Sequence, residues 1–271
     1  MKVLVGIPTL NGPARLRRCL ESIAQWTNFN RDVQVLVADD GSTPENLELN
    51  RRIVYELEAG SLRGLEMLHG HGRTGIARTW NRLVRHVPEA ELVVLLNDDV
   101  EVVPDWLDVL RYSLIKNPRA GMIGLNFYSG PPSARPVPPP RPDYVEAKLQ
   151  DGGGGLVSSF GPIFGFRREV WAGVGGFDER YFVFYEEVDF GVTLGRRGYF
   201  HYMASYPIVF HMGGATNSEP QNLDAARCLA ESREKFLSKW GKDLGALREE
   251  FLSRADRPVP REWNQQIKVW P

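Results

Sequence analysis

The chain has 271 residues, enough for one large domain with a substantial core or for two small ones. Its 33 basic and 34 acidic residues nearly cancel, so the net charge gives no indication of a nucleic acid partner. Cys19 and Cys228 are the only cysteines, too few for the disulfide framework of a small secreted protein, and they fit a reducing cytosol.

The amino terminus, MKVLVGIPTL, carries one lysine and a very short apolar run, so we do not expect it to act as a signal peptide. No apolar run approaches the roughly 20 residues that a membrane span needs. We therefore expect a cytoplasmic protein, with peripheral attachment to a membrane as the alternative.

Strand-like and helix-like segments alternate in the first half of the chain. Short apolar runs predict strands at 2–7, 33–38, 65–68 and 91–96, and helical spacing predicts helices at 13–26, 44–59 and 75–87. This alternation predicts right-handed βαβ crossovers and a Rossmann-like, mainly parallel sheet flanked by helices, an α/β fold. Ligands of such sheets bind beyond the carboxyl ends of the strands, where the polar loops PTLNG, DDGST, HGHGRTG and NDDVE lie.

Beyond residue 104 the pattern is mixed, and one composite domain is favoured over two independent ones. In chain order we expect a helix at 104–116, a strand at 120–127, a proline-rich extended loop at 129–143, a glycine-rich joint at 151–155, a helix that begins within FYEEVDF, a β-rich stretch that ends near VFHMGGAT, one or two surface helices within 222–254, and an irregular tail at 259–271.

A dinucleotide-binding pattern provides an alternative function. Residues 70–75 spell G-x-G-x-x-G between a strand and a helix, and Asp98 follows about 20 residues later, as an NAD-dependent oxidoreductase requires. The pattern lies in the third βα turn rather than the first, however, and the preceding strand contains Glu66. Asp98 also has Asp99 beside it, whereas a ribose ligand usually stands alone. We keep the oxidoreductase as the alternative.

Two adjacent acids follow the apolar run Leu92–Leu96. Asn97, Asp98 and Asp99 stand together at its end, and adjacent carboxylates repel each other unless a positive group lies beside them. Oxygen ligands of this kind suit Mg²⁺ or Mn²⁺. A turn that caps the next helix would account for one of the acids, but not comfortably for both.

Other polar residues at the predicted loops have open interpretations. Asp39 ends the second strand, where it can face a base or ribose or can form a turn. Thr9 and Asn11 follow the first strand and can donate hydrogen bonds to a planar ring. His211 ends an apolar run and is either a structural residue or a ligand.

Six motifs occur in order along residues 1–216 and together resemble the family 2 glycosyltransferases of the GT-A fold. They are VGIPTLN, VLVADDGST, GRTGIARTWNRLV, LLNDDVEVVPDWL, GGFDERYFVFYEEVDFGVTLGRRGY and VFHMGGAT. The resemblance implies an inverting, metal-dependent hexosyltransferase. It would move a sugar from a UDP- or dTDP-linked donor to a carbohydrate, a glycolipid or another hydroxyl acceptor. A sugar-nucleotide-binding module without catalysis is a further alternative.

The resemblance also implies a donor and metal site. Asp99 matches the carboxylate that holds Mn²⁺ or Mg²⁺, and His211 matches the histidine that approaches the metal from the carboxyl-terminal side. Asp98 matches a ribose or metal-shell contact, whereas Asn97 replaces the first acid of the usual D-x-D. The remaining residues expected to contact the nucleotide-sugar are Pro8, Thr9, Asn11, Asp39 (pairing with the base), Arg73 (at the base or a phosphate) and Gly75.

On the acceptor side, Glu187 occupies the place of the family's catalytic base, which is usually aspartate, and Glu186 is the competing candidate. Trp171, Tyr181 and Asp189 are expected to contact the acceptor, although core packing is the commoner role of aromatic residues such as Trp171 and Tyr181. The resulting division is a GT-A domain at 1–220, with a nucleotide-binding half at 1–103 and an acceptor-binding half at 104–220. Residues 221–271 form a carboxyl-terminal helical extension and tail.

Overall fold

A computed structural model of the chain describes residues 1–28, 32–70, 72–130, 144–151, 162–213, 224–253 and 262–268. The strands in these ranges are β1 (Val3–Thr9), β2 (Val33–Asp39), β3 (Glu66–Leu68), β4 (Leu92–Leu96), β5 (Val100–Glu101), β6 (Ala120–Ser129), β7 (Tyr144–Asp151), β8 (Ile163–Arg167), β9 (Phe200–His211) and β10 (Glu262–Lys268). The helices are α1 (Pro13–Trp26), α2 (Pro44–Ala59), α3 (Ile76–His86), α4 (Trp106–Lys116), α5 (Arg168–Val174), α6 (Glu186–Arg196), α7 (Ala225–Trp240) and α8 (Leu244–Leu252).

The described strands form one sheet in the order β10-β7-β9-β6-β8-β4-β1-β2-β3, and β5 pairs with β9 off this path. In the first half of the chain, β1 lies parallel to both β2 and β4, and β2 lies parallel to β3. β8 runs antiparallel to β4 and to β6, which joins the second half to the first. The predicted α/β fold is confirmed, and its parallel core is built by the first four strands.

The central strands are buried on both faces because helices cover each face of the sheet. Val3, Val5 and Ile7 of β1 pack on the face covered by α1, whereas Leu4 packs on the face covered by α3. Successive side chains of a strand point to opposite faces, so a strand covered on both sides needs an apolar residue at nearly every position. This requirement explains the continuous apolar runs of β1 and β4.

Beyond the first half of the chain, two predictions differ from the structure and a third lies mostly outside the described residues. Helix α4 begins at Trp106 rather than at 104, because Asp105 before it has a left-handed backbone with φ of 68°. The tail predicted to be irregular contains β10, which pairs antiparallel with β7. The proline-rich loop begins at Ser129, the last residue of β6, and residues 131–143 lie outside the described part of the chain, as do residues 152–155 of the glycine-rich joint.

The predicted carboxyl-terminal helices are α7 and α8, and they pack against α6. Phe236 of α7 and Phe251 of α8 are buried in a cluster with Val188 and Val192 of α6. The helical extension therefore packs directly against the helix that begins with Glu186 and Glu187.

None of the described helices combines the length and the apolar composition needed to cross a bilayer.

Candidate functional site

A cleft of about 280 Å³ lies beyond the carboxyl ends of β1 and β4, where a sheet of this kind binds its ligands. Ten of the residues predicted from the sequence line it: Pro8, Thr9, Arg73, Gly75, Asn97, Asp98, Asp99, Glu186, Glu187 and His211. The other lining residues are Leu10, Asp40, Ile76, Trp80, Phe182, Val183 and Phe184. Loops from both halves of the chain thus meet around one cavity.

Asp98 is fixed at the floor of the cleft by contacts with β1 and α1. The Thr9 hydroxyl donates a hydrogen bond of 2.7 Å to Asp98 Oδ2, and Arg15 Nε lies 3.5 Å from Asp98 Oδ1. Burial raises the pKa of Asp98 to about 6, although Arg15 and the Thr9 hydrogen bond act in the opposite direction. The carboxyl group is therefore rigidly placed between the first strand and the acidic loop.

Asp99 and His211 meet because two short strand segments pair. The strand β5, which follows Asp99 directly, runs antiparallel to the end of β9, with Val100 opposite His211. The Met212 amide donates to the Asp99 carbonyl oxygen at 3.1 Å, and His211 Nε2 lies 3.2 Å from Asp99 Oδ1. Backbone pairing thus sets the distance between the two side chains.

The donor set at this point fits a divalent cation. Asp99 Oδ1 is buried, and among the described residues no group forms a hydrogen bond of suitable geometry with it, although His211 Nε2 lies 3.2 Å away. A carboxylate of this kind suits Mg²⁺ or Mn²⁺, which proteins often hold through one or two side chains plus substrate phosphates. In the described part of the chain, no cluster of three or more histidine, cysteine or acidic side chains is arranged to hold a metal. A cation here would need further ligands from a substrate.

Glu186 and Glu187 are the first two residues of α6, and both line the cleft. Glu186 is 7% exposed, and its Oε2 is buried with no hydrogen-bond partner among the described residues. Burial raises the pKa of Glu186 well above its usual range, and the neighbouring Glu187 charge adds to the shift. Burial also raises the pKa of Glu187, against the effect of backbone hydrogen bonds. Carboxyl groups with raised pKa values are suited to exchange protons near neutral pH.

The backbone that leads into these two acids is strained. Phe184 and Tyr185 both have left-handed conformations, with φ of 67° and 70°, which residues other than glycine rarely adopt. Two such residues in succession persist only where the surrounding structure holds them, and strained segments of this kind cluster at functional sites. The strain therefore marks the entry to α6 as a segment held in one conformation.

Arg73 lines the cleft from the loop before α3. Its guanidinium carbon lies 5.3 Å from the centroid of the Phe182 ring, and its buried Nε has no hydrogen-bond partner among the described residues. A guanidinium with an unused donor is chemically suited to bind phosphate oxygens.

The oxidoreductase alternative is not favoured, because the amino terminus of α3 is already occupied. The Asp40 carboxylate accepts hydrogen bonds from the Thr74 and Gly75 amides at 3.0 Å, and the Ile76 amide donates to the Phe182 carbonyl at 2.8 Å. A dinucleotide pyrophosphate would need these same amides. Gly75 has φ of 91°, and a Cβ there would lie 2.5 Å from the Phe182 oxygen. The glycine allows a close approach of the protein's own backbone.

Asp39 and Asn11 are absent from the cleft wall. The Asp39 carboxylate, which is 1% exposed, accepts hydrogen bonds from the Ser42 amide and hydroxyl and from the Asn50 side chain. Asn11 Oδ1 accepts from the Thr43 amide at 2.8 Å. Both side chains order the loop between β2 and α2, so this geometry gives no support to the predicted contacts with a nucleotide. Of the two adjacent acids, Asp40 lines the cleft, and sequence reasoning missed it.

The three predicted acceptor contacts also lie elsewhere. Trp171 is buried and donates from Nε1 to Asn81 Oδ1 at 3.1 Å. The Tyr181 hydroxyl donates to Asp189 at 3.2 Å, and Asp189 also accepts from Lys239 at 2.7 Å. These side chains are engaged in the interior, so their placement departs from the prediction. Phe182, Val183 and Phe184 line the cleft together with the acid pair instead, and the sequence analysis did not predict them as site residues.

Comparisons with known proteins agree with this geometry. Residues 4–174 match the profile of "Glycosyl transferase family 2". The N-acetylglucosaminyl-diphospho-decaprenol L-rhamnosyltransferase of Mycobacterium tuberculosis is 30% identical over 255 residues, which cover 82% of this chain and 80% of that protein. The O-antigen biosynthesis protein RfbC of Myxococcus xanthus is 27% identical over 222 residues, 73% of this chain but 16% of that protein.

Solved structures with the same fold include two complexes with nucleotide sugars. The mannosyltransferase PcManGT from Pyrobaculum calidifontis, in complex with GDP-Man and Mn²⁺, has a TM-score of 0.64 at 20% identity, covering 94% of this chain and 70% of that one. Staphylococcus aureus TarS in complex with UDP-GlcNAc has a TM-score of 0.62 at 18% identity, covering 93% and 71%. The GT-A architecture expected from the sequence is thus found in both.

Proposed function

Because the chain belongs to glycosyl transferase family 2, we propose that it transfers a sugar with inversion from a UDP- or dTDP-linked donor to a hydroxyl acceptor. The observation that carries the proposal is the cleft itself. It brings the Asp99–His211 pair and the Glu186–Glu187 pair, from distant parts of the chain, around one cavity. Such a transfer needs a cation at the leaving diphosphate and a group that takes the proton of the acceptor hydroxyl. The first pair would bind the cation, and the second pair would take the proton.

The donor would lie along the strand ends. Asp98, held by Thr9, would contact the ribose, and the Arg73 guanidinium would bind the diphosphate. Asp99 and His211 would hold Mn²⁺ or Mg²⁺, which supplies positive charge at the leaving diphosphate. The complex of PcManGT with GDP-Man and Mn²⁺ supports this choice of cation. These residues bind and orient the leaving group while the reacting carbon faces α6.

The acceptor would enter on the side of α6. Its hydroxyl oxygen forms a bond to the anomeric carbon as the bond from that carbon to the diphosphate oxygen breaks, and the hydroxyl proton passes to a Glu187 carboxylate oxygen. One in-line displacement of this kind inverts the anomeric centre. Glu186, which is more deeply buried, would stay protonated and hold the acceptor by a hydrogen bond. The raised pKa of Glu187 improves its match to an alcohol proton near neutral pH.

A saccharide linked to a lipid diphosphate is the first acceptor to test. The mycobacterial relative is named for rhamnosyl transfer to such a compound, N-acetylglucosaminyl-diphospho-decaprenol. The half-exposed apolar side chains of Phe127 and Met212 lie beside His211, and they suit an acceptor with a lipid part. Such an acceptor implies that the protein works at a membrane surface.

The proposal is tested by a panel of nucleotide sugars, with release of the nucleoside diphosphate as the readout and Mn²⁺ present. We expect one UDP- or dTDP-linked donor to be hydrolysed slowly without acceptor, and Glu187→Gln to bind that donor without turning it over. Thermal stabilisation by UDP or dTDP with Mn²⁺, and none by NAD, is the companion result. Stabilisation by NAD alone would favour the oxidoreductase, and binding without turnover in wild type would favour a module that only binds sugar nucleotides.

A further inference from the structure

Helix α7 lies against the segment that carries the acid pair, although it is outside the residues 4–174 that match the family profile. The Ser232 hydroxyl donates a hydrogen bond of 2.8 Å to the Val183 carbonyl, and Ser232 is 1% exposed. Lys235 donates to the Arg180 carbonyl at 3.0 Å. One face of α7 therefore binds the backbone just before α6 at two points.

The end of α7 binds the first turn of α6. Lys239 Nζ lies 2.7 Å from Asp189 Oδ2, and Trp240 Nε1 donates to Asp189 Oδ1 at 2.8 Å. Asp189 lies three residues after Glu186, so it shares a face of the helix with that acid. Lys239 also donates to Asp178 at 2.8 Å. These contacts fix both ends of the short segment that contains the strained residues.

The contacts made by α7 surround a strained stretch of backbone. Phe184 and Tyr185 follow Val183 directly, and both are held in left-handed conformations that side chains other than glycine disfavour. Ser232 binds the chain immediately before them, and the Phe236 ring packs 5.1 Å from the Tyr185 ring. A change in these two φ angles would alter the direction in which the chain enters α6, and the positions of Glu186 and Glu187 depend on that direction.

We propose that α7 is a positioning element of the active site, and that Ser232 and Lys239 are its principal residues. They hold the backbone from Val183 to Glu187 in the strained form that presents both acids to the acceptor. The inference rests on the proposed role of the acid pair. Neither side chain touches the cleft, so each acts through the segment that it binds.

The test compares Ser232→Ala and Lys239→Met with two matched controls, one on the same helix and one just after its end. Ser238→Ala changes an exposed serine, and Lys242→Met breaks an exposed ion pair with Glu250. In the full chain we expect faster amide hydrogen exchange across residues 182–190 in the first two variants only. With the donor found in the panel, their kcat should fall by about 10–100-fold, the order of loss that small misplacements cause, while the donor KM stays unchanged. Calorimetry with UDP and Mn²⁺ should show wild-type affinity.

Conservative variants separate positioning from general destabilisation. Ser232→Thr keeps the hydroxyl and Lys239→Arg keeps the cation, so both should recover most of the exchange protection and turnover. Wild-type exchange in both Ser232→Ala and Lys239→Met would overturn the inference, as would equal losses in the two controls. Exchange is measured without turnover, so the two proposals can fail separately. If wild type transfers no sugar but the variants show the expected exchange pattern, the proposed function is overturned and the role of α7 in holding the segment is still supported.

Discussion

His211 Nε2 lies 3.2 Å from Asp99 Oδ1, although the two residues come from opposite halves of the chain. The antiparallel pairing of β5 with the end of β9 creates this contact, because it sets Val100 opposite His211 and leaves Asp99 one residue away. Asp99 Oδ1 is buried and has no hydrogen-bond partner among the described residues, so this oxygen is available to a ligand. Backbone pairing thus brings together the two side chains that we propose hold the cation.

Asp99→Asn tests the cation site. The substitution keeps the size of the side chain and removes its charge, so donor turnover should fall by several orders of magnitude, equivalent to the several kcal/mol that a metal supplies. UDP affinity measured by calorimetry should lose its dependence on Mn²⁺. Asp32→Asn, at a side chain that is 49% exposed, should behave like wild type. Full turnover by wild type in excess EDTA would contradict the prediction.

Glu187→Gln and Glu186→Gln identify the base. Each keeps the shape of the side chain and removes its basicity. Glu187→Gln should lower kcat by roughly 10²–10⁴-fold, the usual contribution of a general base. Donor affinity should be unchanged, and Glu187→Asp should recover only part of the activity because its carboxylate is shorter. If Glu186→Gln loses turnover while Glu187→Gln keeps it, the base is one residue earlier than the resemblance implies.

The buried Glu186 predicts a stability effect that depends on pH. Its pKa is raised in the folded state, so the folded protein keeps this proton to a higher pH than the unfolded chain does. Its contribution to the free energy of unfolding is therefore fully present below the unfolded pKa, near pH 4, and is lost as the pH rises through the folded pKa. Glutamine cannot lose a proton in this pH range. The Tm of Glu186→Gln minus the Tm of wild type should therefore be larger at pH 8 than at pH 5.

Differential scanning calorimetry at both pH values measures this effect. In a protein of this size each kcal/mol corresponds to about 2–4 °C in Tm. Glu169→Gln, at a side chain that is 78% exposed, serves as the control and should give the same small difference at both values. If the Tm difference between Glu186→Gln and wild type does not grow with pH, burial does not raise the pKa of the Glu186 carboxyl group.

Gly75→Ala tests the contact that occupies the amino terminus of α3. A Cβ at this position would clash with the Phe182 backbone, and the Gly75 backbone, with φ of 91° and ψ of 159°, lies in a region that is essentially restricted to glycine. Gly64→Ala is the control for a positive φ without the contact, because Gly64 has φ of 79° but nothing lies within 4 Å of its Cβ position. We expect chemical denaturation to show a larger loss of stability for Gly75→Ala, and nucleotide affinity to fall only in that variant. Equal losses in the two variants would mean that the Phe182 contact contributes nothing.

The sequence predicted the first half of the fold well, because its signals are local. Helices α1 and α2 have the predicted bounds, each begins with proline at its first position, and the apolar runs of β1 and β4 match strands covered on both faces. The residues at the strand ends, such as Asp98, reach the cleft for the same reason. Strand direction alone determines where such loops meet.

What the sequence did not predict depends on contacts between distant segments. Asp40 rather than Asp39 lines the cleft because the Thr74 and Gly75 amides, just before α3, bind the Asp40 carboxylate. The interior positions of Tyr181 and Asp189 follow from the docking of α7, which lies outside the motifs. The strand β10 exists only through its pairing with β7. None of these partners lies near its target in the chain, so no local pattern indicates them.

The anomeric configuration of the product is the most direct test of inverting sugar transfer at this cleft. Wild-type protein, Mn²⁺, the donor found in the panel and a saccharide linked to a lipid diphosphate should yield a new glycosidic bond whose configuration, read by NMR, is opposite to that of the donor. Glu187→Gln under the same conditions should yield none. A product that retains the donor configuration, or turnover that Glu187→Gln leaves intact, would contradict the account.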